Sequence, residues 1–161
     1  MEFMRYEGEW YVWILVIISV FTVLLMPKKN LTWIGVFITL GVAGHLTWIS
    51  DSLVGGAFDL FDLAKKNTIE LSDAFLISFV PACISTIYVN FYNFKKGLIF
   101  SSIFTLLSFV LEIGLVKVGY MENKNWETWY GIPVYFIFYR FFFPWFLGLL
   151  SKKLVKNLLL N

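Results

Sequence analysis

The sequence predicts an all-α integral membrane bundle of five transmembrane helices, with the N-terminus outside and the C-terminus in the cytoplasm. Its 161 residues are 59% hydrophobic and only 15% charged, with a mean hydropathy of +0.75, which is too apolar for one soluble core. Five long apolar runs fill most of the chain, and we assign them to a single domain, 1–161. Lysines without acidic neighbours occupy the three segments that follow the first, third and fifth apolar runs. Segments rich in lysine stay in the cytoplasm, so these three lie on the same side of the membrane. The lysines are Lys28, Lys29, Lys95, Lys96, Lys152, Lys153 and Lys156.

The first apolar run, 10–26, is predicted to be a membrane span rather than a secretory signal. The segment before it carries Glu2, Glu7 and Glu9 against one basic residue, Arg5, which is the reverse of a basic leader. No small-residue cleavage site follows the run. We therefore expect it to remain attached as the first helix.

The other four runs predict spans at 31–53, 74–91, 97–116 and 132–150. Segments this long and this apolar are helices, because helices satisfy their own backbone groups in lipid. Pro81 and Pro144 fall inside two of them. Each removes a helical N–H, which predicts carbonyl groups without helical partners at Ile77 and Arg140.

The segments predicted to lie outside contain two local features. Apolar residues recur at helical spacing over 57–66 after the Gly55-Gly56 pair, which predicts a short interfacial helix; a solvated connector is the alternative. Aromatic and charged residues alternate over 117–131. That loop fits either an aromatic belt at the membrane surface or a cap over a pocket.

Ionisable residues inside the spans supply the candidate site, because such groups are costly in lipid and are often functional. Glu112 and Arg140 lie in the fourth and fifth spans, and the arginine side chain is long enough for the two to pair. Such a pair fits a structural salt bridge as well as a functional site. His45, Asp51 and Asp73 place further polar groups toward the predicted outer side, although His45 and Asp51 lie about 120° apart around one helix.

Two periodic stripes indicate which helix faces turn inward. Ser101, Thr105, Ser108 and Glu112 form a polar stripe along the fourth span, which we expect to face the bundle. The third span carries small residues every four positions, a pattern that favours close helix packing in membranes. These are Ala74, Ser78, Ala82 and Thr86.

Several chemistries lack their usual residues. A single cysteine, Cys83, and a single histidine cannot build a disulfide framework or most of a zinc site, so we expect no metal. No nucleotide-binding, zinc-protease, serine-esterase or C-x-x-C motif is present, and we expect no cofactor. The positive charge lies at membrane boundaries, so we also expect no nucleic-acid partner.

Two segments resemble conserved blocks of an uncharacterised family of small multi-pass membrane proteins from Bacillota. The first runs from Leu71 to Asn90, and its matching residues are Asp73, Pro81, Tyr88 and Asn90. The second runs from Glu112 through Gly119-Tyr120 to Trp126. The resemblance implies a bacterial plasma membrane location and draws attention to Glu112, Tyr120 and Trp126, but the family has no assigned reaction.

Three functional hypotheses follow. The first is a noncatalytic membrane protein that binds membrane lipids, a membrane-protein partner or further copies of itself. The second is a lipid-active enzyme in which Glu112 acts as a base beside Arg140. The third is a small transporter or channel lined by the polar stripe of the fourth span. The candidate outer polar cluster comprises Glu112, Arg140, His45, Asp51, Asp73, Tyr120 and Trp126.

Overall fold

A computed structural model describes residues 6–64 and 70–150, which form six α-helices and two short strands. Four further helical turns join them: π-helical turns at Ser52–Ala57 and Phe138–Phe142, and 3₁₀ turns at Phe94–Lys96 and Thr128–Tyr130. The helices are α1 (Glu9–Leu25), α2 (Trp33–Asp51), α3 (Leu71–Phe91), α4 (Gly97–Lys117), α5 (Gly131–Ile137) and α6 (Phe143–Leu150), and the strands are β1 (Phe61–Leu63) and β2 (Met121–Asn123).

The all-helical fold class is confirmed. Four helical segments are long and apolar enough to cross a membrane, namely Trp33–Ala57, Leu71–Phe91, Phe94–Lys117 and Thr128–Leu150. They coincide with the last four predicted spans. The first predicted span corresponds to α1, which is a shorter apolar helix of 17 residues.

The predicted interfacial helix over 57–66 is wrong where the structure describes it. The π-helical turn extends α2 to Ala57, and residues 61–63 then form β1, which pairs antiparallel with β2. The helical spacing of apolar residues there was misleading because backbone pairing with the other loop decides the conformation. Residues 65 and 66 of that prediction lie outside the described residues, as do Lys152, Lys153 and Lys156.

Helix α3 lies at the centre of the bundle. It packs against α1 and α2 on one side and against α4 and α6 on the other. In α2, Gly44 allows the close approach, because an added Cβ would lie 3.2 Å from the Ser78 carbonyl oxygen and 3.8 Å from the Ala82 Cβ. The expectation that small residues of α3 pack against a neighbouring helix is therefore confirmed at Ser78 and Ala82.

One end of the bundle, which we call the lysine end, contains the 27–30 turn and the 93–96 turn. Fully buried Asn90 holds it together from the end of α3. Its side-chain oxygen accepts hydrogen bonds from the Lys29 and Leu31 backbone N–H groups at 2.9 and 3.3 Å, and its amide donates to the Pro27 carbonyl at 2.8 Å. The α1–α2 turn is thus fixed to α3 by one side chain.

A π-helical turn precedes Pro144 in the last segment. The Phe143 N–H bonds to the Phe138 carbonyl, five residues back, so the carbonyl of Tyr139 is the next in this register and faces Pro144, which has no N–H. The expectation of a free Arg140 carbonyl stays a prediction. The Tyr88 hydroxyl from α3 donates to the Tyr139 carbonyl, and the Ser101 hydroxyl donates to it at 3.0 Å.

The opposite end, which we call the ribbon end, is closed by the two strands. Phe61 pairs with Asn123 and Leu63 with Met121, so the α2–α3 and α4–α5 connections form one antiparallel ribbon. The Lys124 ammonium lies 2.6 Å from an Asp59 carboxylate oxygen and 2.9 Å from one of Asp62. These two carboxylates raise the pKa of Lys124.

Replacing Asn90 with alanine should lower stability substantially. The Asn90→Ala substitution leaves backbone groups of the 27–31 turn without partners, at about 1–3 kcal/mol for each buried group. We expect the thermal unfolding midpoint in mild detergent to fall by about 5 °C or more. Asn93→Ala is the matched control, since Asn93 is exposed and its side chain accepts a hydrogen bond only from the nearby Lys95 N–H. Equal midpoints for the two variants would contradict this role for Asn90.

Candidate functional site

Glu112 is the single carboxylate of α4, and it is buried, with only 7% of the residue exposed. One carboxylate oxygen accepts a hydrogen bond from the Trp126 indole N–H at 2.8 Å, and the other accepts one from the Tyr135 hydroxyl at 2.5 Å. Gly131 leaves room for this arrangement, because a Cβ there would lie 2.7 Å from a Glu112 oxygen. Glu112 therefore joins α4 to the aromatic loop and to α5.

The pairing of Glu112 with Arg140, which the sequence left open, is not formed. No ion pair joins them, and within residues 6–64 and 70–150 the Arg140 side chain has neither a carboxylate partner nor a hydrogen bond. The guanidinium instead lies over the Phe141 ring, 5.8 Å from its centroid. The sequence places the two residues at comparable depths, but Tyr135, one helical turn before Tyr139, occupies the position facing Glu112.

The polar stripe of α4 faces the bundle, as predicted. Ser101, Thr105 and Glu112 are buried and Ser108 is half-buried. The Ser101 hydroxyl lies 3.0 Å from the Tyr88 hydroxyl, and the Ser108 hydroxyl lies 3.0 Å from that of Tyr139. Tyrosine hydroxyls thus form hydrogen bonds with both serines of the stripe. Thr105 has no hydrogen-bond partner for its hydroxyl in the described part of the chain.

A second carboxylate cluster surrounds the start of α3. Asp73 is 3% exposed and accepts a hydrogen bond from the Tyr120 hydroxyl at 2.6 Å. Its other oxygen accepts the Glu70 backbone N–H at 2.9 Å, which forms half of a capping box at the helix start. Burial raises the pKa of Tyr120, and the hydrogen bond to Asp73 raises it further. Tyr120 therefore remains a protonated donor at neutral pH.

The predicted outer polar cluster is divided into separate groups. Glu112 meets Trp126, whereas Asp73 meets Tyr120. Asp51 is half-buried at the end of α2. His45 is exposed on α2 and joins neither group through a hydrogen bond, and Arg140 is also separate from Glu112.

Sequence reasoning missed Tyr135 and Gly131, which complete the surroundings of Glu112. Tyr135 and Tyr139 are four residues apart on the fifth predicted span and face the polar stripe of α4. That spacing, matched to the stripe, is the signal that could have identified them. The close approach at Gly131 had no comparable sequence signal.

Seven of the eight residues that carry the family resemblance, all but Gly119, include the main polar contacts of the bundle. Asp73 with Tyr120 and Glu112 with Trp126 connect helices to the ribbon-end loops, whereas Tyr88 and Asn90 connect α3 to its neighbours. Pro81, the seventh, lies within α3 without ending the helix. These residues stabilise the architecture and do not converge on one cavity.

Comparisons with known proteins leave the function open. No protein-family model, curated protein or solved structure matches this chain. The resemblance to the Bacillota family therefore stays a prediction. The described segments also contain no group of three His, Cys, Asp or Glu side chains that could hold a metal ion. The fold itself defines a helical protein with four segments suited to a membrane.

The contact between Glu112 and Tyr135 should be visible as coupled effects on stability. Glu112→Gln and Tyr135→Phe each weaken the same hydrogen bond. The loss of unfolding free energy in the double variant should therefore be smaller than the sum of the losses in the two single variants, by about 1.5–3 kcal/mol. Denaturant unfolding in detergent measures the difference. Glu112→Gln combined with Arg140→Gln is the control, and those effects should add. Strong coupling to Arg140 with none to Tyr135 would contradict the observed contacts.

The enclosed stripe also predicts a labelling result. A cysteine at Thr105, in a Cys83→Ala background, should not react with a membrane-impermeant maleimide, because tyrosines and helix packing separate it from water. Glu122→Cys provides the positive control, since Glu122 is exposed on β2. Rapid labelling at position 105 in folded protein would show a water-filled path along α4.

Proposed function

We propose that this chain is a noncatalytic multi-pass protein of the bacterial plasma membrane, which uses Arg140 to bind an acidic residue of a membrane-protein partner. In this proposal the four long apolar helices and α1 all cross the bilayer. The ribbon end lies outside and the lysine end faces the cytoplasm.

The charge distribution supports this topology. Lys29, Lys95 and Lys96 are exposed at the lysine end, where positive charge favours a cytoplasmic location. Helix α1 spans about 25 Å at 1.5 Å per residue, slightly less than a membrane core of about 30 Å. Trp10 is exposed at its start and suits the membrane surface, and the Lys28 side chain caps the Val23 and Met26 carbonyls at its end.

The environment of the carboxylates supports a noncatalytic role. A general base needs a carboxylate that can reach a substrate proton. Both oxygens of Glu112 are already bonded to side chains, and Gly131 fits so closely that even one added carbon would approach an oxygen to 2.7 Å. Both oxygens of Asp73 are likewise bonded. The lipid-active enzyme hypothesis also required Arg140 beside Glu112, which the contacts do not support.

The observation that carries the binding proposal is the unpaired guanidinium of Arg140. This residue lies twelve positions after Thr128 and ten before Leu150, near the middle of the last apolar segment. An arginine is always charged, and near the bilayer centre it costs about 2.5–3.5 kcal/mol on insertion scales unless it pairs or reaches water. Residues 6–64 and 70–150 provide no anionic partner for it.

The depth of Arg140 favours a protein carboxylate over a lipid phosphate. Leu150 lies about 15 Å further along the helix at 1.5 Å per residue, so lipid headgroups at either surface are distant. A carboxylate on a neighbouring transmembrane helix can lie at the same depth. The buried carboxylates Asp73 and Glu112 are already bonded within this chain, which favours a different protein over a second copy.

Site-specific photo-crosslinking next to Arg140 tests this proposal. A photoreactive residue at Phe141, which is 64% exposed, is introduced into otherwise wild-type protein in native membranes. We expect a discrete crosslinked membrane protein that carries an intramembrane Asp or Glu. Arg140→Gln should reduce that product at least fivefold, and exchanging the arginine and the partner carboxylate should restore it.

Lys117→Gln is the matched control, because it removes one positive charge from the exposed end of α4. It should leave the crosslinked product unchanged. Native mass spectrometry of the purified protein tests the lipid alternative in parallel. A bound phospholipid that is lost from folded Arg140→Gln, with no protein product at Phe141, would overturn the partner proposal in favour of lipid binding.

A further inference from the structure

His45 occupies an unusual position in the bundle. It lies twelve residues after Trp33 and twelve before Ala57, midway along the second apolar segment, about 18 Å from each end. Its residue surface is exposed, and it makes no hydrogen bond or ion pair within the described chain. If this segment crosses the membrane, as proposed above, the imidazole meets the hydrocarbon core directly.

Gly41 lies one helical turn from His45 on the same exposed face. An added Cβ at Gly41 would have no atom within 4 Å, so this glycine is not required for packing within the bundle. Gly44 differs, because it fits against Ser78 and Ala82 of α3. An open small residue beside a polar one is the pattern that lets two membrane helices approach and form a hydrogen bond.

We infer that two copies of this chain associate through α2, with Gly41 at the helix crossing and the two His45 side chains hydrogen-bonded to each other. A two-fold axis along the membrane normal places each residue opposite its own counterpart and keeps both copies in the same orientation. The exposed residues Phe37, Ile38 and Ile49 flank the contact.

The chemistry of imidazole identifies a second copy as the occupant. A neutral imidazole has one N–H donor and one acceptor nitrogen, so two of them can bond to each other without a third group. Lipid chains offer neither a donor nor an acceptor at this depth. In the two-fold arrangement, the imidazole of the second copy provides the hydrogen-bonding group at the same depth as His45. No further protein is needed.

This inference rests on the proposed membrane location but not on the Arg140 partner. The test uses the purified full chain, in a Cys83→Ala background, reconstituted alone into vesicles of phosphatidylethanolamine and phosphatidylglycerol. Resistance to alkaline carbonate extraction is measured first and reports on membrane insertion. Absence of dimers in inserted protein would overturn the dimer alone, whereas failure to insert would overturn the membrane location.

Disulfide crosslinking measures the contact. Ile38→Cys should form a covalent dimer on oxidation, and the yield should persist as lipid is added to dilute the protein. Leu106→Cys, which is exposed at a similar depth on α4, is the control and should crosslink only by random collision. Equal yields at positions 38 and 106 in inserted protein would overturn the proposed interface.

Four further substitutions in the Ile38→Cys protein test the role of the two central residues. His45→Leu should weaken association by about 3- to 20-fold, the range expected for one hydrogen bond between membrane helices. His45→Asn retains a donor and an acceptor and should preserve most of the association. Gly41→Leu should abolish crosslinking, whereas Gly148→Leu, at another glycine with open space around it, should not. Wild-type crosslinking in both His45→Leu and Gly41→Leu would overturn the inference.

Discussion

The structure depends on hydrogen bonds that join α3 to the ribbon-end loop, to the last helical segment and to the α1–α2 turn. The side chains of α3 that form these bonds, Asp73, Tyr88 and Asn90, are buried. Asp73 in the first turn of this helix bonds to Tyr120. Tyr88 and Asn90, both in its last turn, bond to the Tyr139 carbonyl and to the α1–α2 turn. Each contact fixes a different neighbour. In the membrane location proposed above, lipid provides no hydrophobic force between helices, so directional contacts of this kind select one packing among many.

Tyrosine is suited to this task because its ring packs like an apolar side chain while its hydroxyl reaches a polar group at the far edge. Tyr88 contacts several aromatic rings, including Phe104 and Tyr139 at centroid distances of 5.2 and 4.9 Å, and still donates to a backbone carbonyl. The same division of roles applies at Tyr135 beside Glu112. The polar stripe of α4 is therefore accommodated by aromatic side chains, and its presence does not require a water-filled path.

The sequence predicted the helix positions and the inward face of α4 because both depend on hydropathy and period, which are local properties. It did not predict the partner of Glu112, because opposite charge suggested Arg140 whereas the rotation of the last helix presents Tyr135. The π-helical turn adds one residue to that helix and places the Tyr139 carbonyl opposite Pro144, where Tyr88 and Ser101 bond to it. The predicted helix at residues 61–63 was wrong for a similar reason. These residues pair with 121–123, about 60 residues away, and no local sequence pattern indicates such a pairing.

The buried carboxylates of Asp73 and Glu112, the side-chain amide of Asn90 and the carbonyl of Tyr139 all have hydrogen-bond partners within the bundle. Among the described residues, the buried hydroxyl of Thr105 does not. His45 and Arg140 lie near the middle of two apolar segments and have no such partners in the chain described here. Because an arginine and a histidine differ in charge, the two side chains need different partners. A permanent cation needs an anion, which the described part of this chain does not place beside Arg140, whereas an imidazole can be satisfied by its own copy. The same structure thus supports one contact with a different protein and one between identical chains.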